Sequence, residues 1–244
     1  MTLVLAITCK GGIVIASDGQ ATRVVDKKAI KSKGAKIFPF GDNKLWAGAG
    51  EKQEISKFSD FLATIPSEIQ NRPLTDLLLK EYLTKFADER KKDAEELRKK
   101  KRGQEIQCTE YLVVGYQEYP MIWMLNSQCG HSFSGRDDYV WWKSYMCSIG
   151  SGQTVPEALF CKLKDKGREY TLPQGSLIAY RLAVEGVNAD PYCGEPLDMW
   201  VVTDNSPPVQ KTDVELIQLD KLDETWRDLE HHLFKTMLLC VNEP

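Results

Sequence analysis

The chain has 244 residues, 42% of them hydrophobic and 27% charged, with a formal net charge of −3. The hydrophobic share excludes a wholly disordered chain. The slightly acidic balance argues against a dedicated nucleic-acid binder, whose affinity rests on neutralising phosphates. No run approaches the roughly 18 apolar residues of a membrane span, so no membrane association is expected. Met1–Leu5 carries no basic leader and charge arrives by Lys10, so we expect no signal peptide and a cytoplasmic location. The cysteines (Cys9, Cys108, Cys129, Cys147, Cys161, Cys193 and Cys240) are odd in number and irregular in spacing, which fits reduced, buried thiols better than a disulfide framework. With no CxxC pair and only His131, His231 and His232, no metal site is expected.

In chain order, Leu3–Cys9 and Ile13–Ser17 are runs of Val, Leu, Ile, Ala and Thr around Gly11-Gly12, the signature of a β-hairpin. Both arms are apolar on both faces, which predicts strands inside a packed sandwich. Lys36–Phe40 and Leu45–Ala49 are two further short strands. Ile55, Phe58, Phe61, Leu62 and Ile65 then recur at helical spacing, and Leu77 to Ala87 mark a second helix. Its continuation from Asp88 is almost entirely charged, with many i,i+4 pairs, and predicts a solvated helical extension over about 88–105. Strands resume at Cys108–Tyr116 and Met121–Leu125, with shorter ones at Gly130–Gly135 and Tyr145–Ile149. Thr154-Val155-Pro156-Glu157 has the form of a capping box and predicts a helix to about Lys164. Another helix is predicted over about Gln174–Val187, strands at Leu197–Thr203 and Val214–Leu219, and an amphipathic helix at Leu222–Met237. No repeat or composition break divides the chain, so residues 1–244 read as one domain. The order of elements predicts two antiparallel sheets with helices outside, a layered α/β (α+β) protein.

Familiar catalytic motifs are missing. Gly130-His131-Ser132-Phe133-Ser134 lacks the second glycine of a nucleophile elbow, and no phosphate-binding glycine loop occurs. The positive signal is Thr2. A threonine freed at the amino terminus is a complete nucleophile–base unit: the hydroxyl attacks and the α-amine, with an ordinary pKa of about 7.7–8, takes the proton.

The surrounding segments carry a resemblance. Thr2-Leu3-Val4-Leu5-Ala6-Ile7 and Gly12-Ile13-Val14-Ile15-Ala16-Ser17-Asp18-Gly19-Gln20-Ala21-Thr22 are similar to the opening of proteasome β-subunits and of the bacterial HslV peptidase. Lys36-Ile37-Phe38, Ala47-Gly48-Ala49-Gly50, Ile149-Gly150-Ser151-Gly152-Gln153 and Asp190-Pro191-Tyr192-Cys193-Gly194, followed by Leu197–Thr203, resemble further segments of that family in the right order. The resemblance covers about residues 2–205 and identifies the chain as similar to the N-terminal-nucleophile hydrolases of the proteasome branch.

It implies a four-layer αββα sandwich and these roles. Thr2 is nucleophile and base. Lys36 places a cation near its amine, and Asp18 fixes Lys36. The Gly48 N–H serves the oxyanion. Ser151, Asp190 and Cys193 support the amine, Cys193 standing where the family usually has serine. Ala21, Trp46 and Ala49 border the substrate, with Trp46 at the floor of the first side-chain pocket and so favouring small residues. The implied activity is that of a threonine peptidase in intracellular protein degradation. It would act without cofactor on peptides or unfolded proteins, inside a homo-oligomeric ring, with an ATPase or regulatory ring as a candidate partner. The alternatives are an inactive structural ring subunit and a small-amide hydrolase of the same superfamily.

Overall fold

The computed structural model describes residues 2–25, 28–100, 109–117, 119–126, 139–142, 145–163, 169–204 and 206–241. The chain begins with strands β1 (Val4–Cys9), β2 (Gly12–Asp18), β3 (Gln20–Val25), β4 (Lys28–Lys33), β5 (Ile37–Phe40) and β6 (Lys44–Ala49). Helices α1 (Lys52–Thr64), α2 (Ser67–Gln70) and α3 (Leu77–Lys100) follow. Then come β7 (Glu110–Gln117), β8 (Tyr119–Asn126), β9 (Tyr139–Trp142) and β10 (Met146–Ile149). Helices α4 (Thr154–Leu163) and α5 (Leu172–Ala189), strands β11 (Leu197–Thr203) and β12 (Val209–Gln210), and helix α6 (Asp213–Val241) complete the order.

The strands form one sheet in the order β10-β1-β2-β11-β12, a second in the order β5-β6-β7-β8-β9, and the separate hairpin β3-β4. Every strand pairing is antiparallel. Alternation along the strands divides the apolar residues into three sheets of contact. Leu5, Ile7, Val14 and Ala16 face outward from the first sheet onto Phe160, Ile178 and Leu182 of α4 and α5. Val4, Ala6, Ile13 and Ile15 face inward and meet Leu45, Ala47, Leu112 and Val114 of the second sheet. The outer face of the second sheet, with Trp46, Tyr111, Val113 and Trp123, takes Phe58, Leu62, Leu79, Leu83 and Phe86 of α1 and α3. The result is the four-layer αββα sandwich. Every residue of β1 and β2 is buried, which is why the sequence shows apolar residues at successive positions there rather than at alternate ones.

Several boundaries differ from the sequence reading. Val214–Leu219 is not a strand; it is the first turns of α6. Its β-branched Val214 and Ile217 suggest extended structure, but a capping box decides otherwise. The Glu215 N–H donates to Thr212 Oγ1 (3.3 Å) and the Thr212 N–H donates to Glu215 Oε2 (2.8 Å). Leu216 and Leu219, three apart, then face α5 on one side of a helix. The predicted box at Thr154 does not cap either: Thr154 is already helical, continuing a 3₁₀ turn at Ser151–Gln153, and Glu157 accepts from Ser148 Oγ at 2.7 Å. The working box lies at Thr171 and Gln174, where α5 begins. The β3-β4 hairpin and β9 are additions, and Gly130–Gly135 lies outside the described residues.

The charged extension is helical through Lys100 and is tied down at its base. Arg90 reaches Glu54 of α1 at 3.3 Å and lies over the Phe86 ring at 5.4 Å. At the other end, α6 is pinned to α5 by Arg181, which pairs with Asp223 (2.9 Å) and Glu230 (3.0 Å), while Leu222, Leu229 and Leu233 stay exposed.

Phe58 is the hub of the second helical layer. It is fully buried, with ring centroids of Tyr111 at 4.5 Å, Phe86 at 4.9 Å and Trp46 at 5.3 Å. Phe58→Ala removes that contact and leaves a void, so urea denaturation should show a loss of about 3–5 kcal/mol. A loss below about 1 kcal/mol would mean that α1 does not depend on this cluster.

Candidate active site

The β1-β2 hairpin sets Thr2 beside Asp18. The Asp18 N–H donates to the Leu3 carbonyl at 3.1 Å, and the Leu3 N–H donates back to Asp18 Oδ1 at 2.8 Å. The carboxylate thus clamps the residue immediately after Thr2. Its other oxygen accepts from the Gln20 N–H (3.3 Å) and the Gly194 N–H (3.2 Å). Lys36 Nζ donates to Asp18 Oδ1 as an ion pair. Asp18 is fully buried, and Thr2 and Lys36 are 7% and 8% exposed. Burial lowers the Lys36 pKa below the ordinary lysine value, and the adjoining Asp18 carboxylate opposes the shift without cancelling it. A buried ion pair is tolerable only where further hydrogen bonds complete it, and here three backbone N–H groups do so.

The second sheet supplies the opposite wall. Ile37 faces Ala47 in the β5-β6 register, which leaves Lys36, one residue before β5, at the end of β6 that carries Gly48. Lys36 therefore bridges from the glycine end of β6 to the carboxylate beside Thr2. Ala49 lies on the inter-sheet face, 2% exposed and opposite Glu110 of β7. Trp46 points the other way, stacked on Phe38 at 4.7 Å and 4% exposed. Ala21 pairs with Ser32 in the β3-β4 hairpin, and its side chain lies outside those described.

The turn after β10 closes the site from above. Gly150 holds φ +93°, and a Cβ there would sit 2.0 Å from the Thr2 carbonyl oxygen, so only glycine fits. The Gly152 N–H points at that same carbonyl at 3.5 Å. Ser151, between them, hydrogen-bonds to the Asp190 carboxylate. Asp190, where α5 ends, also accepts from the Tyr192 N–H (2.9 Å) and the Cys193 thiol (3.6 Å). Burial works against its charge, but the Ser151 hydroxyl, the Tyr192 N–H and the Cys193 thiol outweigh it and hold the carboxyl below the usual aspartate value. Burial, with Asp18 and Asp190 close by, pushes the Cys193 thiol up to about 12. Cys193 therefore stays protonated near neutrality, a weak donor rather than a nucleophile.

Thr2, Asp18, Lys36, Ser151, Asp190, Cys193 and Gly194 thus converge at one end of the sandwich from five separate segments. A sequence model of the family described as Proteasome subunit matches residues 2–202. The chain belongs to the proteasome subunit family. A comparison with curated proteins finds no match. The proteasome match ends near the close of β11, so α6 lies beyond it. No described helix of this proteasome subunit is long and apolar enough to cross a membrane. Among the described residues, no group of three His, Cys, Asp or Glu side chains is placed to hold a metal ion.

Two contributors escaped the sequence reading. Gln20 Nε2 donates to the Tyr192 carbonyl at 3.0 Å and so fixes the loop that carries Cys193. The Glu110 carboxylate accepts from the Gly150 N–H at 2.7 Å. Its only sequence signal is an acidic residue heading the apolar run Tyr111–Val114.

The ion pair makes a measurable prediction. Asp18→Ala leaves a buried ammonium and three N–H groups without their acceptor, and should cost about 3–5 kcal/mol in urea denaturation. Adding Lys36→Met removes the stranded charge, so the double variant should be less destabilised than the two single variants summed, by about 1 kcal/mol or more. Strict additivity would mean that the two side chains do not interact.

Proposed function

We propose that this proteasome subunit is a threonine-type peptidase, cleaving peptide bonds with Thr2 as an N-terminal nucleophile. The observation that carries the reading is the buried Asp18–Lys36 pair, hung on the Leu3 N–H one residue after Thr2. A charged pair buried at the end of a sandwich adds little to stability compared with apolar packing, so its presence there is best accounted for by chemistry.

In this reading the residues preceding Thr2 are removed and its α-amine is free. The amine accepts the Thr2 Oγ proton as the oxygen attacks the substrate carbonyl. The Gly48 N–H stabilises the oxyanion that develops. The protonated amine then gives its proton to the leaving nitrogen, and water resolves the ester left on Thr2. Lys36 lowers the amine pKa by placing a cation nearby, and Asp18 holds Lys36 in position. Ser151, Asp190 and Cys193 orient the amine. Ala21 and Ala49 flank an extended substrate, and Trp46 limits the pocket for the side chain before the scissile bond. The subunit works as a homo-oligomeric ring in intracellular protein degradation, taking peptides or unfolded proteins, with an ATPase or regulatory ring as the proposed partner.

Matched preparations with Thr2 free and with Met1 retained, assayed on one fluorogenic peptide, test this. Only the free form should turn over, because an amide nitrogen accepts no proton at neutral pH. Its rate should rise with pH through a pKa at or below about 7.7–8 as the amine loses its proton. Thr2→Ala should abolish turnover and Thr2→Ser should keep part of it. Equal activity of the two preparations would overturn the reading.

Substrate choice gives a separate check. Trp46→Ala should widen the peptide preference toward bulky residues before the scissile bond, read with a peptide library. An unchanged preference would remove Trp46 from the pocket.

A further inference from the structure

Beside the Lys36–Asp18 pair, a second hydrogen bond crosses between the two sheets at the site. Glu110 heads β7 in the second sheet, and Gly150 follows β10 in the first. Leu112 and Val114, two and four residues along β7, face the inter-sheet core, so by alternation Glu110 also faces between the sheets. Its Oε2 accepts the Gly150 N–H at 2.7 Å. On the partner strand Ala49 stands directly opposite Glu110, one residue beyond Gly48. The position a Gly150 Cβ would occupy lies 2.0 Å from the Thr2 carbonyl oxygen and 3.2 Å from Ala49 Cβ. Glu110 therefore ties the turn that presses on the Thr2 backbone to β7, the neighbour of the strand that carries Gly48.

The geometry points to Glu110 as a positioning residue that fixes the distance between Thr2 and the Gly48 N–H by bracing the Gly150 turn. The assignment rests on the peptidase reading for its effect on turnover, though the brace itself does not. Glu110 touches neither substrate nor reacting atoms; it acts through Gly150. Burial raises its carboxyl above the usual glutamate value, the Gly150 N–H opposes that rise, and Glu157 adds to it. Either protonation state keeps an acceptor oxygen for the Gly150 N–H, so the requirement is for an acceptor and not for a charge. A nucleophile misplaced by about 1 Å from its acceptor site loses on the order of 10²-fold in rate while substrate still binds.

The test compares Glu110→Gln and Glu110→Ala in the full chain with Thr2 free. Gln keeps an oxygen acceptor on a side chain of the same length, so its kcat should stay within about 3-fold of the parent. Ala has none, and its kcat should fall by on the order of 10–10²-fold with KM changed by less than about 3-fold. Hydrogen-exchange mass spectrometry on peptides spanning residues 147–153 reads the brace without turnover. Exchange there should accelerate in Glu110→Ala and remain as in the parent in Glu110→Gln. Equal kcat in parent and Glu110→Ala, or equal exchange, would overturn the proposal. A parent that turns over no peptide would overturn the peptidase reading instead, and the exchange comparison alone would then decide whether Glu110 braces the turn.

Discussion

One buried carboxylate organises the end of this sandwich. Asp18 accepts from the backbone at Leu3, Gln20 and Gly194 and pairs with the Lys36 ammonium. Those partners come from β1, from the start of β3, from the loop before β11 and from the edge of the second sheet. A charge this deep is costly unless donors surround it, so the four segments gain by meeting. The arrangement fixes Lys36 on the carboxylate that also holds Leu3, the residue after Thr2. Local strand preference alone would not bring these segments together; the cost of stranding a charge does.

Around that constraint the layers divide the labour. The inter-sheet core is built from small and branched residues such as Ala6, Ala47 and Ile15, which lets the sheets approach closely. The outer layer over the second sheet is aromatic, with Phe58, Trp46 and Tyr111 interlocked, and it holds β6 from behind. Support for the Thr2 backbone then comes from the turn at Gly150–Gly152, and Ser151 of that turn bonds to Asp190 at the head of the Asp190–Cys193 loop. A thiol in that loop, in place of the serine usual in the family, makes a longer and weaker bond to Asp190 at 3.6 Å. Ser151 and the Tyr192 N–H take up the remaining acceptor capacity of Asp190.

Much of this was legible in the residues. Apolar runs on both faces at Leu3–Ser17 announced a central hairpin, and Thr2, Asp18, Lys36, Gly48, Ser151, Asp190 and Cys193 stood in segments that resemble those of a known family in the same order. The β3-β4 hairpin was not legible, because Gln20–Lys33 mixes charged and branched residues with no clean alternation. Val214–Leu219 misled for a related reason: branched residues fit a strand, and only the Thr212–Glu215 cap turns them into a helix. Glu110 was invisible because its role depends on a turn 40 residues away, and a single acidic residue at the head of a strand has no pattern to betray it.

The pairing order of the first sheet carries a consequence for biosynthesis. β1 and β2 leave the ribosome long before their partners: β1 pairs with β10 and β2 with β11, and Gly194, a donor to Asp18, lies 176 residues downstream of it. Contacts so distant in sequence close late and slowly during folding. At translation rates of roughly 5–20 residues per second, about 10–40 s separate the appearance of Thr2 from that of Gly194. Until then the Asp18 carboxylate lacks one of its donors, and the outer strand that buries β2 does not exist. The segment that carries Thr2 and Asp18 therefore emerges well before the loop that completes its surroundings. The order in which the strands are made thus delays the closure of this end of the sandwich until most of the chain exists.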